Sequence, residues 1–159
     1  MEKNFYSLRT NIGYFLNKPI GFSQDFHLAY PEIFLNPDLN VHNLASDYRL
    51  SRTREGVLLQ AQLQGEIEVQ CTRCLSDMFS PVRTDFEELF VFESRSQDDS
   101  DEIFPEDGYI DLAETFRDYL LLEVPINHLC RSDCKGICVE CGQNLNEADC
   151  GHGQHIQFD

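Results

Sequence analysis

Cysteine is concentrated near the end of this sequence, where the residues from Cys130 to His152 have the spacing C-x3-C-x3-C-x2-C-x8-C-x-H. Thiolates and imidazoles separated by such short loops are typical ligands of Zn²⁺. The strongest motif is CVECG, because Gly142 after the second cysteine allows backbone amides to turn toward the sulfurs. Four protein ligands leave no open position for water, so we predict a structural zinc site rather than a catalytic one.

Two other uses of these cysteines fit the sequence less well. A disulfide framework usually has an even number of cysteines and an oxidising compartment, whereas this chain has seven cysteines. A catalytic thiol needs a nearby base and an orienting group, and five clustered sulfurs are unusual around one nucleophile. The sequence contains no phosphate-binding glycine loop, nucleophile elbow or HExxH motif, so we predict that the protein is not an enzyme.

The sequence alone does not decide which four residues share one metal ion. The set that closes the shortest loops, and is therefore favoured entropically, is Cys130, Cys134, Cys138 and Cys141. An alternative combines Cys138 and Cys141 with a second thiol pair in the motif CTRC, which would clamp the C-terminal tail onto the sheet. The further candidate ligands are Cys71, Cys74, Cys150 and His152. Eight candidates leave room for two sites.

The elements that must position these thiols are mainly strands. From Val57 to Cys71, apolar residues alternate with glutamine and glutamate, which indicates a half-buried antiparallel strand. A preceding strand ends near Thr53 and reverses at residues 54–56, and a third strand follows with apolar residues at alternate positions of 82–92. We predict a three-stranded meander in which the CTRC motif forms the turn between the last two strands.

Helix signals flank this meander. Asp111 and Glu114 predict a helix start, as N-cap and capping-box partner, and Pro125 predicts its end. Residues 12–16 predict a shorter helix that Pro19 stops. We therefore predict an α+β fold, with an antiparallel β-sheet or partial barrel, one or two helices, and a small C-terminal appendage resembling a zinc knuckle.

The composition predicts two regions. The α+β core should span residues 1–125, and a cysteine-rich metal-binding tail should span 126–159. Within the core, the residues at about 93–108 are strongly acidic, with Arg95 as their only base, and predict a solvated linker.

The net charge of −16 restricts the class of partner. A surface this acidic repels phosphate backbones, so a basic protein is a better partner than bare nucleic acid. Any contact with RNA must come from a local basic face, for which the candidates are Arg49, Arg52, Arg54 and Arg73.

The sequence also predicts where the protein is found. It has no apolar run long enough to span a bilayer, and its first residues do not resemble a secretory signal. We expect a cytoplasmic protein, or a protein of the plastid stroma if the source is a plant.

Three segments in a fixed order resemble the YceD family, the large ribosomal RNA subunit accumulation proteins. They are CTRCLSDMFSPVRTDFEELF, IDLAETFRDYLLLEVPINHLC and DCKGICVECGQNLN, with an acidic stretch between the first two. In the family, the positions of Cys71, Arg73 and Cys74 form a recurring C-x-R-C element, and the C-terminal cysteines occur in only some members.

The resemblance implies a non-catalytic factor for large ribosomal subunit biogenesis and accumulation of large-subunit ribosomal RNA. The implied partners are a pre-ribosomal large-subunit particle, ribosomal RNA or a basic ribosomal protein, with no membrane and no small-molecule substrate. An alternative from the acidic composition is a chaperone-like binder of a basic ribosomal protein, in which the acidic residues neutralise lysine-rich segments.

Overall fold

The computed structural model describes residues 8–99 and 101–152. It contains a four-stranded sheet in the order β2-β3-β4-β5 and a two-stranded sheet that pairs β1 with β6. The strands are Arg9–Asn11 (β1), Ser23–Leu35 (β2), Leu39–Arg52 (β3), Gly56–Gln70 (β4), Asp77–Val91 (β5) and Tyr109–Asp111 (β6), and the helix is Leu112–Leu122 (α1). The predicted α+β class with antiparallel sheets is confirmed, and both sheets are open.

Strand β4 follows the alternation of its sequence. Its apolar residues Val57, Leu59 and Leu63 are fully buried, while the intervening glutamines point away from the core. It pairs with β3 in a hairpin in which Arg52 lies opposite Val57, and the Thr53 amide donates to the Gly56 carbonyl to close the turn. The predicted hairpin is confirmed.

Strand β2 was not predicted, because its alternation is interrupted. Asn43 in β3 has φ of 52°, and the β3–β4 register shifts between His42 and Ala45, as at a β-bulge. The side chains that face the core therefore change parity along β3, and the neighbouring β2 changes parity as well. Strand β2 also contains Pro31, which a sheet tolerates because β2 is an edge strand.

Helix α1 begins where its capping residue predicts. Asp111 accepts a hydrogen bond of 2.9 Å from the Ala113 amide, and Leu112, Phe116 and Leu120 form the buried face. Phe116 contacts the rings of two sheet residues edge-on, so the helix packs on the main sheet. The shorter helix predicted at residues 12–16 is a 3-10 helix over Gly13–Asn17.

The acidic segment predicted as a linker makes ordered contacts. A second 3-10 helix spans Glu93–Arg95, and the Asp101 carboxylate accepts hydrogen bonds from the Gln97 and Asp98 amides. Residues Val91 and Ile103 form a parallel bridge, and Phe104 is buried. These contacts anchor the apolar positions of the segment, while its carboxylates remain at the surface.

The chain divides into two compact units. The sheet unit comprises the described part of 1–67 together with 81–124, and the cysteine unit comprises 68–80 together with the described part of 125–159. The turn that carries the CTRC motif thus groups with the C-terminal tail, whereas the sequence-based division places it in the core. No helix within residues 8–99 and 101–152 has the length and apolar character needed to cross a membrane.

Candidate metal centre

The turn between β4 and β5, residues 71–76, presents two thiols from one tight loop. We call it the first thiol turn. The Leu75 amide donates to the Cys71 carbonyl at 2.9 Å, and the Cys71 amide donates to the Ser76 carbonyl at 2.9 Å. Leu75 has a left-handed backbone, with φ of 57°. This conformation closes the loop directly after Cys74, so both sulfurs lie on the same side of the turn.

A second thiol turn, residues 138–143, has the same hydrogen bonds. The Gly142 amide donates to the Cys138 carbonyl at 2.8 Å, and the Cys138 amide donates to the Gln143 carbonyl at 2.8 Å. Gly142 has φ of 72°, which matches the left-handed conformation at Leu75. The motifs CTRCL and CVECG therefore fold in the same way although their sequences share only the cysteines.

The first thiol turn contributes to a cluster with two cysteines of the C-terminal segment. We call Cys71, Cys74, Cys130 and Cys134 the first cluster. Its four sulfurs all lie within 4.8 Å of one another, and two of the separations are 3.8 Å and 3.6 Å. A tetrahedral ion with metal–sulfur bonds of about 2.3 Å would place the sulfurs about 3.8 Å apart. The geometry fits one tetrahedral metal ion.

Polar groups surround the first cluster and fix its ligands. The Asn146 side-chain amide donates to the Cys134 sulfur at 3.3 Å, and its carbonyl oxygen accepts from the Lys135 amide. The Arg73 guanidinium donates to the Cys134 carbonyl at 3.1 Å. Gly136, with φ of 77°, lets the backbone pass close to the Arg73 carbonyl. These contacts provide donors to the sulfurs and positive charge beside them.

The thiols of the first cluster have unequal pKa values. Burial raises the pKa of Cys71, but hydrogen bonds from surrounding backbone amides outweigh it and lower this pKa to about 6. The hydroxyl and amide of Ser76 lower the pKa of Cys74. Desolvation and neighbouring sulfurs raise the pKa of Cys130 to about 12. Several thiolates crowded together repel one another, and a bound cation would stabilise all of them in the deprotonated form.

The second thiol turn contributes to a separate cluster. We call Cys138, Cys141, Cys150 and His152 the second cluster, and its ligand atoms also lie within 4.8 Å of one another. The Cys138 sulfur lies 3.9 Å from Nδ1 of His152. The backbone amide of Cys141 lowers the pKa of Cys138 to about 6. The His152 amide lowers the pKa of Cys150, but the Cys138 sulfur and desolvation outweigh it and raise that pKa.

The structure brings the predicted ligands together in a different combination from that predicted. Cys130 and Cys134 lie in the first cluster, whereas Cys138 and Cys141 lie in the second. The CTRC pair lies with Cys130 and Cys134, and not with the CVECG pair as in the alternative arrangement. This grouping differs from both sets of four ligands that the sequence suggests for a single site. All eight candidate ligands nevertheless belong to one cluster or the other. Two cysteine-rich clusters that could hold a metal ion are thus present.

The four candidate arginines have different environments. Arg49 forms a two-pronged ion pair with Asp25, with bonds of 2.6 Å and 3.0 Å. Arg52 lies over the ring of Phe92 at 4.3 Å and donates to backbone carbonyls of its own turn. Arg54 is exposed and makes no ion pair with a described residue. Arg73 belongs to the cysteine unit and the other three to the sheet unit.

Comparison with protein families places the chain in a defined class. Residues 59–159 match the family model described as large ribosomal RNA subunit accumulation protein YceD. The matched range includes β5, α1, both clusters and most of β4. The chain belongs to the YceD family.

Individual relatives agree with this assignment. An uncharacterized protein of Mycobacterium tuberculosis is 34% identical over 117 residues, which cover 71% of this chain and 56% of the relative. The Arabidopsis thaliana protein named large ribosomal RNA subunit accumulation protein YCED homolog 1, chloroplastic, is 44% identical over 50 residues, 31% of this chain and 16% of the relative. YlbN, an uncharacterized protein of Bacillus subtilis, is 31% identical over 72 residues, 45% of this chain and 42% of the relative. The chain thus spans about half the length of the mycobacterial relative, and no solved structure matches it significantly.

Proposed function

We propose that the protein is a non-catalytic factor for large ribosomal subunit biogenesis, needed for large-subunit ribosomal RNA to accumulate. The observation that carries the proposal is the family match over residues 59–159, together with the name of the Arabidopsis relative. Its partner would be a large-subunit precursor particle in the cytoplasm, or in the stroma of a plastid.

Structural zinc at the first cluster is part of this proposal. Four thiols at tetrahedral spacing, with three of the four cysteines buried, have the composition of a closed zinc site. Such an ion would join the first thiol turn to residues 130–134, a connection for which few apolar contacts are available. The apolar cluster there consists of Cys71, Cys74 and Cys134, with Met78 and Leu129 packed against it. Zinc would therefore supply much of the free energy that orders the cysteine unit.

Depletion of the protein in its source organism tests the role directly. The ratio of large-subunit to small-subunit ribosomal RNA should fall, and precursor particles smaller than the mature large subunit should accumulate on sucrose gradients. Expression of the wild-type chain should restore both. An unchanged RNA ratio after complete depletion would contradict the proposed function.

A second candidate function is supported by an acidic cavity of the sheet unit. This cavity has a volume of about 400 Å³. Its lining includes the carboxylates of Glu88, Glu102, Asp111, Glu114 and Asp118. Tyr109 and Ile103 are partly exposed at the same place and offer apolar surface next to the charges. A lysine-rich or arginine-rich segment of a ribosomal protein complements such a lining, as a chaperone-like binder requires.

Charge substitutions at the cavity separate the two functions. If the chaperone function is correct, the double substitution Glu102→Gln and Glu114→Gln should abolish capture of a free basic ribosomal protein. If only the assembly function is correct, the same substitutions should leave accumulation of ribosomal RNA intact. Asp47→Asn with Asp77→Asn removes the same number of charges away from the cavity lining and is the matched control.

A further inference from the structure

We infer that the second cluster is a second zinc site, that the full chain binds two zinc ions, and that the second ion exchanges faster than the first. The ligands of this site are three thiolates and the imidazole of His152. This inference does not depend on the ribosomal role, because it concerns the binding of metal by the isolated chain.

The ligand inventory of the chain supports two complete sites. All seven cysteines belong to one of the two clusters, four to the first and three to the second. His152 supplies the fourth ligand of the second cluster. The odd number of cysteines, which argues against a disulfide framework, therefore follows from one site with four thiolates and one site with three thiolates and an imidazole. Both ligand sets are common for tetrahedral structural zinc.

The repeated backbone geometry is an independent observation in favour of the second site. The two thiol turns have the same pair of backbone hydrogen bonds and the same left-handed residue after the second cysteine. In each turn, the backbone reverses directly after the second cysteine, which places both sulfurs on the same side of the loop. The two turns have the same backbone structure, and each lies beside one further pair of ligands. This similarity indicates that both clusters bind a metal ion in the same way.

Exposure distinguishes the two sites. In the first cluster, Cys71, Cys74 and Cys134 have relative exposures of 0%, 6% and 3%, and Cys130 is the one exposed ligand. In the second cluster only Cys138 is buried, at 1%, whereas Cys141 and His152 are exposed. A chelator or a competing thiol must approach the ion to remove it. The second site has two exposed ligands and a partly exposed one, against one exposed ligand in the first site, and should therefore exchange its ion faster. The ligands of the second site also carry one negative charge fewer than those of the first, because imidazole binds zinc as a neutral ligand.

Elemental analysis of the full chain, purified under reducing conditions without chelator, tests the stoichiometry. Two zinc ions per chain are expected for the wild type. His152→Ala should retain one, and Cys130→Ser with Cys134→Ser should also retain one. His152→Cys keeps a ligand at the same position and should retain two. Glu140→Gln lies within the second thiol turn without being a ligand and is the matched control, also with two.

Release kinetics test the difference between the sites. A coloured zinc indicator added in excess should remove zinc in two phases of equal amplitude, and His152→Ala should lose the fast phase alone. If the wild-type chain binds one zinc ion and the His152→Ala variant also binds one, the second site is overturned and the first remains in place. Two zinc ions released in a single phase would overturn the difference in exchange, and iron in place of zinc would overturn the metal assignment. Circular dichroism that matches the wild type shows that the sheet unit is folded in each variant.

Discussion

Leu75 and Gly142 occupy equivalent positions after the second cysteine of their turns, yet only one of them is glycine. Both have a left-handed backbone, with φ of 57° and 72°. For a residue with a side chain, this conformation is less favourable by about 1–2 kcal/mol. The Leu75 side chain is 56% exposed and gains little from burial. The first thiol turn thus tolerates backbone strain that the second turn avoids.

Exchanging these two residues should have opposite effects on stability. Leu75→Gly should stabilise the cysteine unit by about 0.5–1 kcal/mol, because glycine relieves the left-handed strain at the expense of some chain entropy. Gly142→Leu should destabilise it by a similar amount. Denaturant unfolding of the zinc-loaded chain measures both changes. A loss of stability in Leu75→Gly would show that the leucine side chain has a packing role that its exposure does not indicate.

Asn146 is the clearest non-ligand residue of the first cluster, since its amide donates to the Cys134 sulfur. Asn146→Asp has nearly the same shape but replaces that donor with a negative charge beside thiolates. Loss of such a supporting contact typically lowers metal affinity about 10–100-fold. Competition with a chelator of known affinity should show this decrease. Ser132→Ala, an exposed change between two ligands of the same cluster, should leave the affinity unchanged.

At the scale of the strands, Gly56 is required by the close approach of β4 to β5. A Cβ atom at this position would lie 2.0 Å from the Phe90 carbonyl oxygen. Gly56→Ala should therefore destabilise the chain by about 2–4 kcal/mol, in the range of strained core substitutions. Gly21→Ala is the comparison, because nothing lies within 4 Å of its Cβ position and only the left-handed backbone, with φ of 90°, opposes it. Its cost should be about 1 kcal/mol in the same unfolding measurement. Equal effects would contradict the steric explanation.

The strands that alternate cleanly could be predicted from sequence, and the others could not. Strand β4 and the capped start of α1 match their predictions, because one buried face gives a regular period. Strand β2 has no regular alternation from which it could be predicted, because the bulge at Asn43 shifts the buried face partway along β3 and the buried face of β2 shifts with it. A bulge depends on pairing with another strand, and this information is absent from the local sequence.

The identity of the candidate ligands could also be predicted, but their grouping could not. Loop-closure entropy favours ligands that are near in sequence, and it favoured the four cysteines of 130–141. In the structure, Cys71 and Cys74 lie beside Cys130 and Cys134 although more than fifty residues intervene. Residues 71–74 and 130–134 belong to the same compact unit, so the tertiary fold groups these ligands across the long intervening loop. Local entropy then no longer decides between the ligand sets.

At the scale of the whole molecule, the charge of −16 opposes binding to free RNA. Of the candidate arginines, Arg49 is neutralised by Asp25, and Arg52 and Arg73 bind backbone carbonyls of the chain itself. Arg54 is the exposed candidate that has neither an ion pair nor a backbone contact of this kind within the described residues.

Binding to isolated fragments of large-subunit ribosomal RNA should therefore be weak, and its salt dependence should be shallow because few phosphate contacts are available. If Arg54 contacts a phosphate, Arg54→Ala should reduce the salt dependence by about one counterion. Arg49→Ala should have a smaller effect because its charge is already paired. Filter binding across a salt series measures both. Tight binding that survives moderate salt would contradict the dominance of the acidic surface.

The most direct test of the central claim is purification of the tagged chain from its own cells at low and at moderate salt, followed by identification of the bound RNA and protein. The family assignment and the acidic surface together predict recovery of large-subunit precursor RNA with several large-subunit proteins, as expected for an assembling particle. Recovery of a single free basic ribosomal protein, without ribosomal RNA at either salt concentration, would contradict the assembly function and favour the chaperone-like alternative.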